Sequence, residues 1–95
     1  MNDPASAPVR DNPAQHRFEL EVEGHLAAAH YTLAPGVITF THTEVPAELG
    51  GRGIGTRLAR GALTWVRAGG LKVVPKCPFI AAFMAKNPEF NDLLR

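Results

Sequence analysis

A mixed α+β domain is the reading of this 95-residue sequence, and three observations carry it. Apolar and polar residues alternate over residues 17–45, with two turn signals between the runs, which is the period of half-buried strands. From residue 53 to 68 the period lengthens to that of an amphipathic helix. A glycine cluster at residues 50–55 stands where one pattern gives way to the other. The predicted order is β-β-β-α-β-α: an antiparallel three-strand meander, then a crossover helix that makes the last strand parallel to the third. A chain of this length has room for one small domain.

Residues 1–15 contain three prolines and few apolar side chains, so they read as a disordered leader ahead of a folded domain over residues 16–95. They hold no apolar stretch of the signal-peptide kind. Phe18, Leu20 and Val22 alternate with Arg17, Glu19, Glu21 and Glu23 to give a first strand, closed by a turn at Gly24-His25. The returning strand puts Ala27, Ala29, Tyr31 and Leu33 on one face, and Ala34-Pro35-Gly36 marks the next turn. Residues 37–45 are rich in β-branched side chains. Their alternation places Ile38, Phe40 and His42 on one face and Thr39, Thr41 and Thr43 on the other.

In the helix that follows, Ile54, Leu58, Ala62 and Trp65 share a stripe flanked by Ala59 and Val66. Arg57, Arg60, Thr64 and Arg67 line the opposite side, which reads as a solvated face. Gly69-Gly70 ends the helix, and residues 71–74 form a short strand stopped by Pro75. Pro78 opens a second helix offering Phe79, Ile80, Phe83 and Met84 for packing. Asn87-Pro88 breaks it before a last short helix over residues 89–94. Phe40, Trp65 and Phe79 are expected in the core.

The formal net charge of +1 hides an asymmetry. Residues 1–50 carry two arginines against seven acidic residues, whereas residues 51–95 carry eight basic residues against two acidic ones. The switch falls in the glycine cluster, which favours a small anionic ligand over a purely solvated surface only if that turn can bind one. A nucleic-acid partner is disfavoured, because aromatic residues are not interleaved with the bases as a stacking platform requires. No run of apolar residues is long enough to span a bilayer. The single cysteine, Cys77, cannot form an internal disulfide, so a reduced cytoplasmic setting is expected. No His/Cys spacing makes a metal site, and His25 and His30 carry no expected role. A monomer or weak dimer is expected.

The segment Glu48-Leu49-Gly50-Gly51-Arg52-Gly53-Ile54-Gly55-Thr56 lies between a predicted strand and a predicted helix. The unpaired first N–H groups of a helix and its dipole favour an anion there, and glycines let the backbone approach it. Arg52 adds a possible charge-assisted contact. The segment is neither a Walker A loop nor a dinucleotide fingerprint. On spacing alone, a tight strand-to-helix turn with no ligand explains the glycines equally well.

A longer pattern separates these readings. Gly50-x-x-Gly53-x-Gly55, followed by Leu58 on an amphipathic helix, resembles the acetyl-CoA signature Q/R-x-x-G-x-G/A of the GCN5-related N-acetyltransferases. Residues 40–94 are similar to the very small single-domain branch of that superfamily. There a strand ending in H-T-x-V-P runs into a G-x-G-I-G turn, followed by C-P-F and N/H-P-E-F/Y segments. Here these read His42-Thr43-Glu44-Val45-Pro46, Gly51-Arg52-Gly53-Ile54-Gly55, Cys77-Pro78-Phe79 and Asn87-Pro88-Glu89-Phe90. The resemblance covers residues 16–95 once the meander is included.

It implies acetyl-CoA as co-substrate and an amine as acceptor. The pyrophosphate is then expected on the backbone of Gly50, Gly51, Arg52, Gly53, Ile54, Gly55 and Thr56. The pantetheine arm is expected between the strand holding Thr43 and Val45 and the strand holding Val73 and Val74, with the thioester near Cys77. The chain departs from the pattern at Gly50, where Gln or Arg is usual, and at Met84, where larger members place a proton-donating tyrosine. Phe83 and Phe90 stand where the small branch often has tyrosine, and Asn87 where it often has histidine. Cys77 precedes a helix-opening proline, where a dipole favours thiolate. It reads either as the acid toward the CoA thiolate or acetyl carrier, or as a small core residue. Glu44 and His42 are candidates for the general base or solvated strand-end residues. Two functions follow: an acetyl-CoA-dependent N-acetyltransferase, or a CoA-binding module with little catalysis.

Overall fold

The structure, a computed structural model, describes residues 8–95. Five strands lie side by side in chain order: β1 (Arg10–Asn12), β2 (Arg17–Val22), β3 (His25–Ala34), β4 (Val37–Glu44) and β5 (Lys72–Pro75). The first four pair antiparallel and β4 pairs parallel with β5, as the crossover through helix α1 (Ile54–Ala68) requires. Helix α2 (Pro78–Lys86) and a 3-10 segment (Pro88–Leu93) complete the chain, and Leu94 bridges back to Val73 beside β5.

The β2–β3 turn sits at Glu23-Gly24, one residue earlier than the sequence places it. Both residues have positive φ, 53° and 78°, a turn whose twist matches that of the flanking strands. One apolar cluster fills the space between the sheet and the two helices, with Leu20, Ile38, Phe40, Leu58, Leu63 and Ile80 fully buried. Cross-strand pairing puts Arg17, Glu19, Leu26, Ala28 and His30 on the other face, outside this cluster. That face carries no helix among the described residues.

Three expectations change. Residues 1–7 of the expected leader lie outside the described residues, but residues 8–15 are ordered. Arg10–Asn12 pair with β2, and Val9 is buried against Gly61 of α1, where a Cβ would stand 2.3 Å from Val9 Cγ2. A leader with few apolar side chains still docks when a helix glycine leaves a socket for one of them.

Trp65 and Phe79 are not core residues. Trp65 is half exposed and donates its indole N–H to the carbonyl of Val9 at 2.9 Å, while Phe79 lies over Gly55.

Nor is the arginine side of α1 simply solvated. Arg60 donates to Glu89 and Asn87 and Arg67 to Asp92 and the Glu89 carbonyl. Both guanidinium groups lie over the Phe90 ring, Arg60 also over Phe83. These contacts fasten the C-terminal segment to α1 and explain why Phe83 and Phe90 serve packing here.

Candidate functional site

The site begins with an irregularity in β4. Tyr31 pairs with Phe40 but the preceding His30 pairs with His42, so Thr41 is an extra residue. Such a bulge reverses which face the following side chains occupy. Strict alternation puts His42 with Ile38 and Phe40; instead Thr43 shares the helix-covered face with Ala29, its partner, while His42 and Glu44 share the open face with His30 and Ala28. The sequence carries no glycine or proline there to announce the bulge.

On its other edge, β4 is joined to β5 over four register steps, from Val37–Lys72 to Phe40–Pro75. β5 ends there, while β4 runs four residues further. The Cys77 amide closes the junction by donating to the Phe40 carbonyl at 2.9 Å. The ladder goes no further, and beyond it Thr43 Oγ1 and Cys77 Sγ meet at 3.2 Å. Cys77 is buried at the start of α2 and belongs to the apolar cluster, the place the core reading of this residue expects.

On the open face Glu44 is held from two sides. His30 Nε2 lies 3.2 Å from Oε1 and His42 Nε2 3.5 Å from Oε2, with the two imidazoles stacked at 5.9 Å. The hydrogen bond from His30, then that from His42, keeps the Glu44 carboxyl below the usual carboxylate range. Sequence reasoning dismissed His30, because the contact depends on register across two strands. A cleft of about 560 Å³ opens at this end of β4, lined by Leu26, His42, Thr43, Glu44, Val45 and Pro46.

The chain then passes a 3-10 turn, Ala47–Leu49, into the glycine segment. Gly51 and Gly53 have φ of 78° and 70°, a left-handed backbone that side chains resist. The first helical bond of α1 runs from the Arg57 amide to the Gly53 carbonyl, so the N–H groups of Ile54, Gly55 and Thr56 have no acceptor within the helix. Gly53 supplies no capping side chain, and Gly51, Arg52 and Gly53 are exposed. This arrangement fits an anion of pyrophosphate kind. Arg52 pairs with Glu23 of the β2–β3 turn at 2.9 Å. Gly55 has a packing reason as well: a Cβ there would meet the Phe79 ring at 2.8 Å. Its absence lets the N-terminal ends of α1 and α2, and so the glycine turn and Cys77, approach each other.

Among the described residues no group of three His, Cys, Asp or Glu side chains is arranged to hold a metal, and no helix is long and apolar enough to cross a membrane. Met84 is buried in the core.

These features agree with comparisons to known proteins. The profile of the GCN5-related N-acetyl-transferase family matches residues 17–93. The solution NMR structure of a GCN5-like candidate N-acetyltransferase from Staphylococcus aureus superposes with a TM-score of 0.71 at 25% identity, covering 94% of this chain and 88% of that one. No curated protein matches the sequence. With the family profile spanning the domain from β2 to the last 3-10 segment, and a β4–β5 ladder that ends beside a glycine-led helix, the chain belongs to the GCN5-related N-acetyltransferase family.

Proposed function

We propose that the protein transfers an acetyl group from acetyl-CoA to an amine. The observation that carries this reading is the end of the β4–β5 ladder at Phe40–Pro75, with Thr43 and Cys77 just beyond it and the α1 N-terminus nearby. Acetyl-CoA supplies the activated acyl carbon and a thiolate leaving group. The backbone of residues 50–56 receives the pyrophosphate, and Thr43 and Val45 flank the pantetheine arm along β4. Arg52 exchanges Glu23 for a phosphate oxygen, because an exposed ion pair holds it by only about 0–1 kcal/mol.

Glu44 accepts the amine proton, directly or through a water; the nitrogen becomes acidic once the C–N bond forms, so an ionised carboxylate suffices. His42, beside it, is the alternative base. As the C–S bond breaks, the Cys77 thiol gives its proton to the departing sulfur and is reprotonated from solvent. The Thr43 hydroxyl, 3.2 Å away, orients that thiol. Cys77 acting as a transient acetyl carrier is the other role its position permits.

Burial of Met84 favours a second reading, a CoA-binding module with little turnover, since no proton donor stands at that position. Calorimetry with CoA and acetyl-CoA, followed by acetyl transfer to a panel of amines, separates the two. Saturable binding with turnover is expected; binding without turnover leaves the module, and no binding overturns both.

A further inference from the structure

We propose that the acceptor amine reaches the thioester from the helix-free face of the sheet, and that His30 is a positioning residue that holds Glu44 for it. This rests on the acetyltransferase reading above. On that reading the thioester carbonyl lies where the β4–β5 ladder ends, roughly in the plane of the sheet, and can be approached only from one face or the other. One face is filled by the cluster that α1 and α2 pack against. The acceptor is left the other.

The bulge at Thr41 gives that face its chemistry. Register pairs His30 with His42 and Ala28 with Glu44, so both β4 groups and the β3 imidazole stand on one surface. Ala28, directly opposite Glu44, offers only a methyl group and leaves room above the carboxylate. Each carboxylate oxygen meets a different imidazole, His30 at 3.2 Å and His42 at 3.5 Å. The His30 side chain is 29% exposed against 62% for His42 and Glu44, which makes it the fixed end of the cluster. A free glutamate at a strand end loses rotamer freedom whenever it is used as a base. Here the contacts have already removed it. The neighbouring cation on β2, Arg17, is committed to Glu19 at 2.6 Å and does not compete for Glu44. The cleft beside the cluster is walled by Leu26, Val45 and Pro46, which suits an amine on an unbranched aliphatic stem.

The test is steady-state acetyl transfer from acetyl-CoA to an n-alkylamine and to a lysine-containing peptide, with NMR titration of the Glu44 carboxyl in the absence of substrate. His30→Ala is expected to lower kcat about tenfold with KM for acetyl-CoA unchanged, and to raise the Glu44 titration midpoint. His30→Gln, whose amide still donates a hydrogen bond, is expected to recover most of the loss. Leu26→Arg, at an exposed position, is expected to raise KM for the amine several-fold and leave acetyl-CoA unaffected. Full kcat in His30→Ala beside an inactive Glu44→Gln overturns the role of His30 alone. An unchanged amine KM in Leu26→Arg overturns approach from this face. A wild-type protein that binds acetyl-CoA but acetylates neither amine overturns the enzyme reading and this inference together.

Discussion

At the scale of single residues, partners decide the use of Glu44, Cys77 and Arg52: two imidazoles, a hydroxyl and a carboxylate. Thr43 and Cys77 form a pair that neither residue's position in the sequence reveals, 34 residues apart. If Cys77 is the acid, Cys77→Ala lowers kcat by about a hundredfold and leaves the calorimetric Kd for CoA unchanged. Thr43→Val, which removes only the hydroxyl, is expected to lower kcat less, by roughly three- to tenfold, since a neutral hydrogen bond contributes about 1 kcal/mol. Arg52, proposed above to meet a phosphate, is already paired with Glu23. Glu23→Gln releases it, and the affinity for CoA is expected to rise about two- to fivefold at low salt, corresponding to the small worth of an exposed pair. An unchanged Kd would show that Arg52 does not reach the phosphates.

Among the elements, α1 carries the most information. Its glycines have different work: Gly53 opens the helix with a left-handed backbone, Gly55 admits the Phe79 ring, and Gly61 is the socket for Val9. Gly61→Ala would improve helix propensity by about 1 kcal/mol but drive a methyl group into Val9 Cβ, an overpacking that costs about 1–3 kcal/mol. The net expectation is a loss of about 1 kcal/mol in chemical denaturation. It should be accompanied by a red shift of Trp65 emission as the Val9 carbonyl withdraws from the indole. A stabilised protein would show that residues 8–12 do not need that socket. The other polar edge of α1 behaves similarly, because Arg60 and Arg67 sit on aromatic rings and carboxylates of the last segment. A stripe that reads as solvated is in fact the clasp for the C-terminus.

Over the whole molecule, stability should respond to pH from both sides. Glu19 is held below its ordinary value by the Asn12 and Arg17 hydrogen bonds, Glu44 by His30 and His42, Glu89 by Arg60 and Asp92 by Arg67. Depressed carboxylates contribute stability above their unfolded pKa of about 4, and that contribution disappears as pH falls through the folded values. Tyr31 moves the opposite way: burial, and then its hydrogen bond to Asp11 at 2.6 Å, push the phenol above its usual range. Its contribution is present below the unfolded value of about 10 and lost as pH rises beyond it. Thermal unfolding from pH 3 to 11 should therefore show a plateau near neutrality. The Tm should fall below about pH 4.5 and again above about pH 10. A Tm that stays level down to pH 3 would mean these contacts do not persist in solution.

From Arg17 onward the element order, the parallel pairing of the last strand and the glycine-led helix were legible in the sequence, because they depend on local periodicity, turn chemistry and handedness; the first strand, Arg10–Asn12, was not. So were the matching segments around His42, Gly53, Cys77 and Asn87, which carried the family. Tertiary structure decided the rest. Thr41 is unremarkable as a residue, yet as a bulge it sends Thr43 toward Cys77 and turns His42 and Glu44 to meet His30. Val9 belongs to the domain only because Gly61 lies across from it, and Trp65 points outward to hold that segment. Each of these outcomes depends on which strand or helix stands opposite. A one-residue shift of register alters it without changing any local preference, so only the packed chain could settle where the side chains meet.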